Sequence, residues 1–221
     1  MPTSSRVLLL SAILSATGGA WAAGGGSTSM PEPRVSAQTP EQLAKSAYNT
    51  GVRGVKKADE LAAGAARMTD PAKQEKAARR ANDAYKRALA KFESAVGHDP
   101  GMHEAWNYIG YAKRQLGDLD AALAAYDRAL AIQPGYAQAV EYRGQAYLKL
   151  NRLSDAKQAY LDLYAGNRAL ADQLLAAMRE WIGANRAATA DAAELDDFEK
   201  WVQERAAIAG QTAALTREGT A

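Results

Sequence analysis

Residues 103–136 read HEAWNYIGYAKRQLGDLDAALAAYDRALAIQPGY. Trp106, Ile109 and Gly110 recur at helical spacing in a first segment, and Ala122, Tyr126 and Ala129 do so in a second. Gly117 stands between the two, suited to the left-handed backbone that ends a helix. Pro134 cannot continue a helix and closes the unit. Gly110, Ala122 and Ala129 are small, so the two helices can cross closely. Trp106 and Tyr126 carry the bulk that fills the space between one hairpin and the next.

The pattern returns on both sides. Ala137 lies 34 residues after His103, and Gly144, Tyr147, Ala156 and Tyr160 then occupy the matching places. In this unit Val140 replaces the Trp, Arg143 falls where a buried residue is expected, Leu163 replaces the last Ala, and no proline ends the unit. Upstream, Ala88, Phe92, Ala95 and Pro100 match a second helix whose first helix would hold Tyr48, Asn49, Thr50 and Gly51. From Ala44 to Pro100 that unit has 57 residues instead of 32, so an insertion lengthens both of its helices. A helix–turn–helix period of this length means stacked hairpins that share one continuous core.

The Trp, Gly, Ala, Tyr, Ala and Pro positions of residues 103–136 resemble the tetratricopeptide repeat (TPR) signature. The likeness extends from Ala44 to Ala165, with Lys113 standing where an aromatic residue is usual. It implies an all-α fold, an α-α superhelix of about three hairpins with an elongated first hairpin and C-terminal capping helices. The chain carries no run of alternating β-branched residues that would argue for a sheet.

Helical text in the long unit starts at Thr39-Pro40-Glu41-Gln42, a hydroxyl N-cap followed by Pro at the first helical position. It runs to Arg67, turns at Met68–Pro71 and continues to Val96, with Gly97–Gly101 as the break. The facing stripe is mostly alanine, which brings two helices close but buries little area per residue. Downstream, Leu170, Leu174, Leu175, Met178, Trp181 and Ile182 form one amphipathic face ending at Gly183. Leu195, Phe198, Trp201 and Val202 form another, with Asp191 and Glu194 placed to cap its start. Trp181 and Trp201 read as core of this cap. The organisation expected is an elongated hairpin at 41–100, two repeats at 101–170, capping helices at 171–207 and a flexible tail at 208–221.

The N-terminus reads differently. Arg6, the apolar stretch Val7–Ala16 and Ala20-Trp21-Ala22 make residues 1–22 a signal peptide, with cleavage expected after Ala22. The apolar stretch is too short to span a bilayer. Residues 23–40, rich in Gly, Ser and Pro, read as a disordered leader. The location this implies is periplasmic or secreted, with no stable membrane anchor after cleavage. Zero cysteines exclude disulfides, thiolate metal sites and cysteine nucleophiles. A formal net charge of +2 gives no reason to expect nucleic acid. Residues 41–100 are net basic and residues 171–221 net acidic.

The resemblance also implies a partner-binding groove on the first helices. It would hold Tyr48, Asn49 and Val52 from the first unit, and Glu104, Asn107, Tyr108, Tyr111, Arg114 and Gln115 from the second. Gln138, Glu141, Tyr142, Gln145 and Lys149 would come from the third. Tyrosine offers apolar area with a hydrogen-bonding tip, and amides can pair a peptide backbone. Family members that clamp a terminal carboxylate use a Lys, Asn and Arg cluster. Tyr48, Val52, Tyr108, Gln138 and Tyr142 stand at those places, so the clamp is absent. Two histidines, His98 and His103, flank a Pro-Gly turn without a third ligand, and no phosphate loop or nucleophile elbow occurs. The expectation is a non-catalytic scaffold or adaptor of the bacterial cell envelope, with a protein or peptide partner, no cofactor, no metal and no small-molecule substrate. Self-assembly through the Ala-rich hairpin and service as the non-catalytic subunit of an envelope enzyme are the alternatives. The oligomeric state is left open.

Overall fold

The computed structural model describes residues 38–186 and 192–218, and within 192–218 the side chains of 193–211. The expected signal peptide, nearly all of the expected leader and the expected Asp191 cap lie outside the described residues. The described residues form eight helices and no strand. These are α1 (Pro40–Ala66), α2 (Pro71–His98), α3 (His103–Gln115), α4 (Leu119–Ile132), α5 (Ala137–Lys149), α6 (Leu153–Gly166), α7 (Arg168–Asn185) and α8 (Ala192–Glu218).

Consecutive helices pack as hairpins, α1 on α2, α3 on α4, α5 on α6 and α7 on α8, and each hairpin packs on the next. The first helices also meet in order, α1 with α3, α3 with α5 and α5 with α7. The architecture is an all-α, α-α superhelix. The α7–α8 pair continues the stack as a fourth hairpin, so the face made by first helices extends onto α7.

Local chemistry places the ends. Thr39 and Gln42 form a reciprocal capping box, each side chain meeting the other residue's backbone N–H. Asp70 accepts from the N–H groups of Ala72 and Lys73, and Pro71 opens α2 without wasting a donor. Gly117 (φ 86°) and Asn151 (φ 56°) adopt the left-handed conformation that their places between helices demand. Two ends differ from the sequence reading. α2 runs through Gly97 to His98, and α8 runs through Gly210 to Glu218, where a tail beginning at 208 was expected. A glycine inside a helix costs only about 1 kcal/mol, too little to stop it unless the backbone also turns left-handed.

Glycine sets the spacing within the stack. A Cβ on Gly51 would sit 2.6 Å from the Phe92 ring, and one on Gly110 would sit 2.5 Å from the Tyr126 ring. At Gly144 the intruder is different: a Cβ there would meet Leu174 of α7 at 2.7 Å. The glycine of the third unit therefore receives the fourth hairpin, while its own Tyr160 packs edge-on to Trp201 at 5.4 Å.

The core grades from small to large along the stack. Around the distal part of the first hairpin it is Ala58, Ala81, Ala84 and Tyr85. At the C-terminal end it is a cluster that includes Leu163, Leu174, Met178, Leu195, Phe198 and Val202. Two residues that depart from the repeat pattern are accommodated by ion pairs. Lys113 Nζ lies 3.5 Å from Asp118, and Arg143 Nη1 lies 2.7 Å from Asp127.

Gly110→Ala is expected to destabilise the fold by about 1–3 kcal/mol, because the Tyr126 ring is fully buried and cannot yield. Gly64→Ala, whose Cβ meets nothing within 4 Å, is expected to stabilise by about 0.5–1 kcal/mol. Urea unfolding of both variants, followed by circular dichroism, checks the pair.

Candidate partner-binding groove

The first-helix face carries a connected chain of aromatic rings. Tyr48 of α1 stands 5.8 Å from Tyr108 of α3, centroid to centroid, and both meet Phe92 of α2. Tyr108 stacks on Phe92 at 4.9 Å with ring planes 10° apart. The chain continues from Tyr108 to Tyr111 at 6.3 Å and from Tyr111 to Tyr142 of α5 at 5.1 Å. These rings line one face because residues 108 and 111 are three apart on α3, so their side chains project together. Their separations and tilts are those that aromatic quadrupoles favour.

Some of the hydroxyls are tied down beneath. Tyr85 and Tyr111 both donate to Asp59 Oδ1, at 2.5 and 2.8 Å. Asp59 was not among the expected groove residues, because it lies in the inserted part of α1 that no repeat position names. A signal did exist: Tyr48, Val52, Val55 and Asp59 follow helical spacing along one stripe. Gln138 Nε2 donates to the Tyr142 hydroxyl at 3.2 Å.

Three groove residues sit deeper than a surface reading allows. Asn107 is 1% exposed, Glu141 1% and Arg114 5%. Neither amide atom of Asn107 has a hydrogen-bond partner. Glu141 accepts from Gln145. Burial pushes its carboxyl above the usual carboxylate range, opposed by Gln145 and Arg114. The Arg114 guanidinium lies over two rings, 5.2 Å from the Tyr111 centroid and 5.6 Å from that of Tyr142.

The other expected residues divide between exposed positions and two cavities. Asn49 is exposed on α1 beside Tyr48. Gln115 borders a cavity of about 470 Å³ that α1 and α2 wall with Ala62, Ala65, Ala78 and Tyr85. Arg114, Gln145 and Lys149 border a second, an open cavity of about 280 Å³ that Trp181 and Asn185 of α7 also line. The sequence reading placed Trp181 in the cap core. It does pack edge-on to Phe198 at 5.9 Å, yet it also walls this cavity.

The signature residues divide between buried, half-buried and exposed positions. Ala88, Phe92, Ala95, Ile109, Gly110, Ala122, Tyr126, Ala129, Gly144, Ala156 and Tyr160 are buried. Trp106, half-buried, donates from its indole to the Pro100 carbonyl at 3.0 Å. Tyr147 is half-buried beneath Arg152, whose guanidinium carbon is 4.6 Å from the ring centroid. Pro134 is exposed in the turn before α5.

Parts of the chain are similar to known proteins. Residues 76–137 and 112–173 each match the tetratricopeptide repeat family. The matched stretch runs from within α2 to the start of α7; α1 and α8 lie outside it. Among solved structures, the chain is similar to the first TPR of Spaghetti (RPAP3), bound to an HSP90 peptide, SRMEEVD. The TM-score is 0.47 and the identity 18%, over 65% of this chain and 97% of that one. No curated protein matches the sequence.

Two partly buried tyrosines, Tyr48 and Tyr136, are expected to make the fold alkali-sensitive. Burial, then the neighbouring Tyr108 and Tyr136, push the Tyr48 hydroxyl from 10.0 up to about 12. Burial likewise pushes Tyr136 to about 12. The folded chain thus holds these protons more tightly than the unfolded chain, so stability falls as pH rises from 10 toward 12. In an alkaline titration, tyrosinate absorbance at these sites is expected to appear together with loss of helical ellipticity. Early ionisation with helices intact would contradict the buried placement.

Proposed function

We propose that this chain is a non-catalytic interaction module that binds an extended protein segment on its first-helix face. The observation that carries the reading is Asn107. Leaving a buried donor and acceptor unpaired costs about 1–3 kcal/mol, and native structures rarely accept that without a reason. A peptide bond presents one acceptor and one donor, the complement of a carboxamide. A segment lying along the tyrosine chain would gain apolar contact from ring faces that are only half-buried, and would reach the Asn107 amide, sealed in the free chain, by displacing the side chains that cover it. Tyrosine suits such contact because it offers large area for few rotatable bonds.

The setting proposed is the bacterial cell envelope. Its support is the Arg6, Val7–Ala16 and Ala20-Trp21-Ala22 pattern of an export signal. Among the described residues, no cluster of three or more His, Cys, Asp or Glu could hold a metal.

A photoreactive phenylalanine analogue at exposed Asn49 should crosslink a partner segment in cells, while the same analogue at exposed Lys86 on α2 should not. Asn107→Leu, similar in volume and free of unpaired polar atoms, is expected to leave the fold as stable or more stable. It should reduce the Asn49 crosslink several-fold. Equal capture from both positions, or full capture in Asn107→Leu, would remove the reading.

A further inference from the structure

The smaller cavity, between α3, α5 and α7, is bordered by a buried cation that no ion pair engages. Arg114 is 5% exposed, yet among the described residues it joins no ion pair. Its hydrogen bond to the protein is a long one, from Nε to the Tyr126 hydroxyl at 3.4 Å. A guanidinium has five N–H donors, and one taken from water without an acceptor is costly. The faces of Tyr111 and Tyr142 compensate in part.

The acids nearby do not complete it. The Glu141 carboxyl feels the Arg114 charge but forms no ion pair with it; it accepts instead from Gln145 Nε2, and burial disfavours its charged form. Glu180 is exposed at the cavity rim, where exposed Lys149 offsets it. What remains is the buried cation, facing a space of about 280 Å³ with the apolar wall of Trp181 beyond.

We propose that this cavity is a side-chain subsite for an acidic residue, Glu or Asp, of the bound segment. Arg114 takes the carboxylate, and Trp181 packs along the aliphatic stem. The inference rests on the groove reading above, because the cavity lies beside Tyr142, where the tyrosine chain ends on α5. Charge complementarity selects the occupant: a carboxylate pairs two donors of the guanidinium fork at once, whereas a carboxamide offers one acceptor and no charge. The residues concerned are not those of a terminal-carboxylate clamp, and the subsite includes α7, outside the repeats legible in sequence. An internal acidic side chain, carried past the opening by an extended backbone, is the source assigned.

The test uses the full mature chain labelled with ¹⁵N, following the Arg114 Nε–H and Trp181 indole resonances. The probes are N-acetyl-glutamate methylamide, N-acetyl-glutamine methylamide and N-acetyl-alanine, the last carrying only a terminal carboxylate. Capped glutamate should give saturable shifts at both resonances, with affinity about tenfold or more above capped glutamine. N-acetyl-alanine should bind more weakly than capped glutamate, since it lacks a stem to reach past Trp181. Ala184→Trp, at an exposed position on the cavity wall, should abolish the shifts and leave the rest of the spectrum unchanged. This variant stands beside Arg114→Gln, which removes the charge but also a buried group.

Equal binding of glutamine, preference for N-acetyl-alanine, unaltered shifts in Ala184→Trp, or no shift from any probe would each overturn the proposal. Silent probes with an intact Asn49 crosslink would remove the subsite alone. Shifts that persist where the crosslink fails would overturn the bound segment as the source of the carboxylate.

Discussion

The structure depends on a close approach of helices that only glycine permits. At Gly51 and Gly110 the backbone of a first helix lies against an aromatic ring of its own second helix, with no room for a Cβ. Those contacts fix how each hairpin closes, and each closed hairpin presents the surface on which the next one stacks. Protein interiors are too densely packed to absorb an added methyl without shifting neighbours. The crossing in the first two units is therefore set by two atoms' worth of missing side chain.

The third unit uses the same device for another purpose. Gly144 opens its surface to Leu174, which makes α7 a packed continuation of the stack rather than a loose lid. The large residues of the C-terminal cluster follow from this. A terminal hairpin must cover the exposed face of the array, and Leu, Met, Phe and Val bury far more area than alanine. At the other end, the elongated hairpin relies on alanine contacts and gains length rather than area.

Between these ends lies a layer that is not arranged for stability. Aromatic rings cover polar groups that a simple core would exclude: an asparagine with nothing to bond, a glutamate held mostly by one amide, and an arginine outside any ion pair. Asp59, by contrast, is well used, accepting from two tyrosines. Unsatisfied buried polar groups beside satisfied ones, all on the first-helix face, are what a surface awaiting a complementary partner would hold.

The helices, their hairpin order and the aromatic face were legible in the sequence, because period and residue size act locally. Trp106, Gly110, Ala122 and Tyr126 announce a close crossing wherever they occur at that spacing, and Tyr48, Tyr108, Tyr111 and Tyr142 follow from repeat register. Depth was not legible. Asn107, Arg114 and Glu141 occupy surface positions in a single helix and become buried only when α1, α3, α5 and their rings converge. Asp59 lay in an insertion without a repeat register, and Trp181 could serve as cap core or cavity wall until α7 was seen to pack on α5. The ends of α2 and α8 also escaped, because a glycine stops a helix only when the backbone turns left-handed. What the sequence by itself determined was the set of amphipathic helices and their pairing, which depend on neighbours along the chain. What only the tertiary structure decided was which polar groups lost water and which found partners, because that depends on side chains far apart in sequence meeting in one desolvated layer.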